Sequence, residues 1–159
     1  MAAINNSIHK DKGSNLKMKN KELAVSRFKE GLSCSQAILL TYGEQLGIDQ
    51  TMALKISASF GGGMARMGEV CGAVTGAFMV LGLKYAKDKE SKEKLYALVN
   101  EFAEKFKTRN GSILCKELLG CNIGTVAGMK AVKEKGLIDT LCPKLVRDAA
   151  EILEEIFKK

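Results

Sequence analysis

From Lys19 onward, apolar residues recur at the three-to-four-residue spacing of helices, and no stretch shows the alternation of a strand. Leu23, Ala24, Phe28 and Leu32 mark a first helix, which Gly31 interrupts. Ser33 followed three residues later by Gln36 is a capping-box pattern, and it predicts a second helix carrying Cys34, Ala37, Ile38 and Tyr42. Asp49 is placed to cap a third helix from Gln50 to Phe60, with Met52, Ile56 and Phe60 four residues apart.

Four glycines then fall within eight residues, Gly61-Gly-Gly-Met-Ala-Arg-Met-Gly68, and predict a loop that turns sharply or approaches something closely. The loop feeds Glu69 to about Ala86, apolar on all sides and therefore expected at the centre of the fold. Within it Gly72, Ala73, Gly76 and Ala77 make a small-residue face for another helix of the same chain or of a second copy in a homodimer. Lys89 to about Thr108 is amphipathic through Leu95, Leu98, Val99, Phe102 and Phe106, and Asn110-Gly111 stops it. Ser112 is expected to cap a short helix ending at Gly120, and Thr125 to begin another ending at Gly136. Pro143, the single proline, suits the first position of a last helix reaching Phe157. The fold expected is an all-α, single-domain bundle of roughly six to eight helices over residues 19–159. Residues 1–18, polar and without a period, read as a disordered leader.

The net charge of +7 changes this picture little. Residues 1–21 hold Lys10, Lys12, Lys17, Lys19 and Lys21 against Asp11, and later helices interleave lysine with glutamate, as over Lys87–Lys94. Without tryptophan or an arginine stripe, the charge reads as solvated helix surface, and nucleic acid is not an expected partner. The first ten residues contain no long apolar run, so no secretory signal is read and the expected compartment is the reducing cytoplasm. The longest apolar stretch, Val70 to Leu83, is too short to insert across a bilayer.

Chemistry enters with cysteine. Cys34, Cys71, Cys115 and Cys142 each stand where a helix is expected to begin, and a helix start offers free N–H groups and partial positive charge that favour thiolate over thiol. Other chemistries lack parts. There is no Cys-x-x-Cys, His9 is the lone histidine and sits in the leader, and no glycine-rich loop continues into the lysine and hydroxyl residue of a phosphate loop. If the four helix starts converge, the cysteines form one site, either as redox thiols or as metal-binding thiolates. The exposed backbone of Gly61, Gly62, Gly63 and Gly72 is the candidate for holding a cofactor, anion or substrate thiol. The plainer alternative is that the cysteines are core residues and the glycines a tight connection. Cys121, following Gly120 at a helix end, lies outside the pattern. Arg66 either holds Cys71 as a thiolate or is a surface residue.

The block Phe60 to Leu83, with Cys71-Gly-Ala-Val-Thr-Gly76 inside it, resembles the C_GCAxxG_C_C family, whose members are described as redox-active. The family name has Gly-Cys-Ala where this chain has Cys-Gly-Ala. Cys34 in Cys-Ser-Gln-Ala, Cys115 in Cys-Lys-Glu-Leu-Leu-Gly and Cys142 in Cys-Pro-Lys-Leu-Val-Arg match the remaining cysteines, over about residues 20–157. The resemblance implies a redox role, an occurrence near transporters, and, through related split-Soret-type cytochromes, an iron–sulfur site. The leading expectation is that the four thiolates hold an iron–sulfur cluster, [2Fe–2S] in type, for electron transfer. The alternatives are a dithiol–disulfide protein working with a redox partner protein or thiol, structural zinc on the same ligands, and a transporter-associated helical adaptor.

Overall fold

Most helices form where caps and apolar spacing predict them, and their ends place the cysteines. In the computed structural model, which describes residues 19–159, α1 spans Asn20–Lys29 and gives way at Gly31. The leader expected over residues 1–18, with His9, lies outside the described residues. α2 (Cys34–Gly43) opens with the capping box: Ser33 Oγ accepts from the Gln36 N–H, and the Gln36 side chain accepts from the Ser33 N–H. α3 (Gln50–Ser57) is capped by Asp49, which accepts from the Met52 N–H at 3.0 Å, and passes into a 3₁₀ turn over Ala58–Phe60. A short turn, α4 (Gly61–Met64), leads to α5 (Gly72–Tyr85) and α6 (Lys92–Asn110). Then come α7 (Cys115–Leu119), α8 (Val126–Glu134), α9 (Leu137–Thr140) and α10 (Cys142–Phe157).

The all-α class holds: among the described residues there is no strand, and one isolated antiparallel bridge joins Val70 to Leu114. Seven helices have eight residues or more, α1, α2, α3, α5, α6, α8 and α10, and three short ones connect them. Among the described residues, no helix is long and apolar enough to cross a membrane. Two starts depart from expectation. α7 begins after Leu114, because the Ser112 hydroxyl accepts from the Leu114 N–H instead of capping the helix. α9 precedes α10 without a glycine or proline signal at its end, and Cys142 takes the first position of α10, so that Pro143 comes second.

α5 is the buried axis, with Ala73, Val74, Ala77, Val80 and Leu81 fully enclosed. It packs chiefly against α2, and Gly76 sets the approach: a Cβ there would lie 3.0 Å from the Ser35 carbonyl oxygen and 3.1 Å from Ile38 Cβ. The small-residue face is thus used within the chain. α10 turns Leu145, Val146, Ala149, Ile152, Leu153 and Ile156 into the core, between α1 and α6. Its outer edge pairs Glu151 with Lys21 at 2.9 Å and with Arg109 at 3.0 Å, and Arg147 with Glu22 at 3.2 Å. Such surface pairs contribute about 0–1 kcal/mol each, so apolar burial carries the bundle and the charges order its rim. Phe78 and Phe102 meet edge-on at 5.9 Å between α5 and α6.

Two glycines of α5 test this packing. Gly76→Val should lower stability by about 1–3 kcal/mol, because the added atoms meet backbone that cannot yield. Gly82→Ala meets nothing within 4 Å and should raise stability by about 0.5–1 kcal/mol through helix propensity alone. Thermal unfolding of both variants measures the contrast, and a Gly76→Val melt like the wild type would refute the close approach.

Candidate functional site

The four cysteines predicted at helix starts are found there. Cys34, Cys115 and Cys142 are the first residues of α2, α7 and α10, and Cys71 is the N-cap of α5. All four line one cavity of about 970 Å³. They are close enough that a charge on any of the other three would act on Cys34.

Backbone pairing brings two of these starts together. The Cys71 N–H donates to the Ile113 carbonyl at 2.8 Å, the Cys115 N–H to Glu69 at 2.7 Å, and the Lys116 N–H to Gly68 at 2.9 Å. Residues 68–71 and 113–116 therefore lie side by side, and α5 and α7 leave them with Cys71 and Cys115 adjacent to the cavity. Missing Cβ atoms make the rest possible. One at Gly63 would sit 2.7 Å from Cys115 Cβ and 2.7 Å from the Glu69 carbonyl oxygen. One at Gly72 would sit 3.2 Å from Cys34 Cβ and 3.1 Å from the Phe60 carbonyl oxygen, and one at Gly61 2.7 Å from Ser33 Cβ. Of the four glycines proposed to meet a ligand, Gly61, Gly62 and Gly72 line the cavity, whereas Gly63 lies behind Cys115 and seats it.

The glycine segment is more ordered than a loop. Gly62, Gly63, Met64, Ala65 and Arg66 all have positive φ, between 52° and 67°, and make a left-handed turn. The Arg66 N–H donates to the Gly61 carbonyl at 3.3 Å, and the Glu69 N–H to Gly63 at 3.0 Å. For each non-glycine residue this conformation costs about 1–2 kcal/mol, and the hydrogen bonds offset part of that cost. The turn lays the stem of Arg66 along Gly62, where a Cβ would lie 3.0 Å from Arg66 Cγ, and sets Arg66 in the cavity wall.

Burial divides the thiols. Helix starts alone would favour thiolate at every position, but enclosure pushes Cys71 up to about 12 and Cys115 up to about 11, so both are neutral thiols near pH 7. The Ala73 and Val74 amides face the Cys71 sulfur and recover part of that shift without forming a full capping bond. Cys34 and Cys142 act as a pair. The Cys34 thiol donates to the Cys142 sulfur, which holds Cys142 below the ordinary cysteine range and Cys34 well above it. Burial and the nearby Asp139 carboxylate oppose the shift at Cys142 and are outweighed. Of the four, Cys142 is therefore the one whose thiolate form is favoured, and Cys34 is the neighbour that favours it.

All five cysteines are free, and among the described residues no three Cys, His, Asp or Glu side chains converge as a metal ion requires. Cys121 does not line the cavity but packs against the small cluster of Cys115, Leu119, Ile123, Val132 and Cys142 that forms part of its wall. Two contributors were not anticipated from sequence: the pairing of Val70 with Leu114, too short to show any alternation, and the apolar wall supplied by Phe28, Ile123 and Val132. The density of glycine at 61–68 was the one advance sign that these segments meet.

Cys142 should be alkylated by iodoacetamide faster than any other cavity cysteine at neutral pH, and Cys71 slowest. A lowered thiol pKa places the rise of reactivity at lower pH than for an ordinary cysteine. Cys34→Ala removes the donor, so the rise at Cys142 should move to higher pH. Peptide-resolved mass spectrometry across a pH series reads both, and an unmoved profile in Cys34→Ala would show that the pair does not set the reactivity.

A family model described as "Putative redox-active protein (C_GCAxxG_C_C)" matches residues 32–156, a span containing all four cavity cysteines. No curated protein and no solved structure matches the chain. With most of its 159 residues covered, the chain belongs to the C_GCAxxG_C_C family.

Proposed function

We propose that this protein is a dithiol–disulfide redox protein in which Cys142 attacks and Cys34 resolves. The observation that carries the reading is that four free cysteines line one cavity large enough for a substrate, with the Cys34 and Cys142 side chains coupled within it. The thiolate is the nucleophile in thiol–disulfide exchange, and a second thiol beside it completes the reaction.

The step balances within these groups and one disulfide, R–S–S–R′. The Cys142 thiolate attacks one sulfur, the substrate S–S bond breaks, and R′S⁻ departs with the proton that Cys34 gives up. Cys34 then attacks the Cys142 sulfur of the mixed disulfide and releases RS⁻. The protein loses two electrons and gains the Cys34–Cys142 bond, and the substrate becomes two thiol products. The reverse sequence oxidises a dithiol. Cys71 and Cys115, kept neutral by burial, take no part in the attack and form the inner wall.

A second reading draws on the same cavity: four thiols and no histidine are the ligand set of a cysteine-held iron–sulfur cluster or of structural zinc. Its donor chemistry fits, but the side chains do not close on a common point in this arrangement, so no step is assigned to such a group.

Anaerobic isolation with metal analysis and a visible spectrum separates the two. The dithiol reading predicts no stoichiometric iron or zinc, no thiolate-to-iron bands in roughly the 320–600 nm window, and a reversible loss of two titratable thiols on mild oxidation. Cys34→Ser and Cys142→Ser should each abolish that loss, and Cys121→Ser should leave it intact. Stoichiometric iron with those bands, lost in any of the four cavity variants, would establish the cluster instead. Inert thiols without metal would leave a helical adaptor with core cysteines.

A further inference from the structure

The cavity around the thiols says what kind of disulfide reaches them. Cys142 is 9 % exposed and Cys71 3 %, so the sulfurs are approached through the cavity and not across an open face. At about 970 Å³ the space matches the upper range of small-molecule sites. Phe28, Leu32, Ile123 and Val132 give the walls an apolar character suited to an organic body.

The charged residues lining the cavity are Lys29, Arg66 and Asp139. Two cations against one carboxylate leave a net charge of +1 before the Cys142 thiolate of the proposed attack is counted. Among the described residues, neither Lys29 nor Arg66 forms an ion pair, although Arg109, Arg147, Lys105 and Lys144 each do. Arg66 is also placed at a cost. The left-handed turn holds it at φ 67°, with its stem resting on bare Gly62. Arg66 is exposed, its stem is placed and its guanidinium is left without an ion pair among the described residues, a planar fork open to a carboxylate.

Resting on the dithiol reading above, we infer that the substrate is a low-molecular-mass disulfide bearing a carboxylate, which Arg66 receives with Lys29 beside it while a substrate sulfur meets Cys142. The exchange proceeds as balanced above: the substrate disulfide is reduced to two thiols and Cys34–Cys142 is oxidised. Arg66 is a binding residue in this scheme and donates no proton.

Two reagents of opposite character test it: dithionitrobenzoate, an aromatic disulfide with a carboxylate on each ring, and the neutral dithiodipyridine. Rates of Cys34–Cys142 oxidation by each are measured at low ionic strength, normalised to a free small thiol, in the wild type, Arg66→Gln, Lys29→Gln and the surface control Lys94→Gln. The wild type should prefer the carboxylate reagent. In Arg66→Gln that preference should fall by about threefold, the scale of losing one exposed charge contact at low ionic strength. Lys29→Gln should have a smaller effect in the same direction, and Lys94→Gln should keep the preference. No preference in the wild type, or one that Arg66→Gln and Lys94→Gln change equally, would overturn the assignment while leaving the dithiol reading intact. Failure of even the neutral reagent to link Cys34 to Cys142 would remove the dithiol reading itself, and this inference with it.

Discussion

The structure turns on a few places where a side chain is forbidden. The start of α2 can reach the start of α5 only because Gly72 has no Cβ: one there would press to 3.0 Å on the Ser35 backbone nitrogen and 3.1 Å on the Phe60 carbonyl oxygen. Gly63 performs the same service for Cys115, and Gly76 continues the contact one turn along α5. Backbone atoms do not move aside as side-chain ends do, so these distances fix which helix starts can share a cavity. The four cysteines meet because the scaffold between them is nearly bare.

Once they meet, burial and not the helix start decides their charge. A helix N-terminus stabilises a thiolate by a modest amount, about 0.3–1 kcal/mol at an exposed site, whereas enclosure in apolar surroundings shifts a titrating group by up to several units. Cys71 and Cys115 follow the larger effect. Cys142 escapes it because Cys34 supplies a hydrogen bond to its sulfur. One cavity therefore holds cysteines shifted in opposite directions, an asymmetry that four equal helix starts would not produce.

Much of this was legible in the sequence, and for reasons that are local. Caps at Ser33, Asp49 and Thr125 each work through the residue three positions on, and each forms as the spacing implies. The position of each cavity cysteine at a helix start followed from the same punctuation. What escaped is long-range or unusual. The Val70–Leu114 bridge joins residues far apart through segments too short to carry a pattern. A run of five positive-φ residues includes Met64, Ala65 and Arg66, which do not adopt that conformation by preference, so glycine density predicted the sharp turn but not its left-handed course through three non-glycine residues. Hydrogen bonding between Cys34 and Cys142 depends on how α2 meets α10, which spacing along the chain does not encode.

The most direct measurement is the linkage map of the cysteines after the protein is equilibrated, without air, across a series of reduced-to-oxidised glutathione ratios. The account predicts that Cys34 and Cys142 join first and reversibly, with Cys71, Cys115 and Cys121 still free at that ratio. A first bond between any other two cysteines, or none at any ratio, would contradict it.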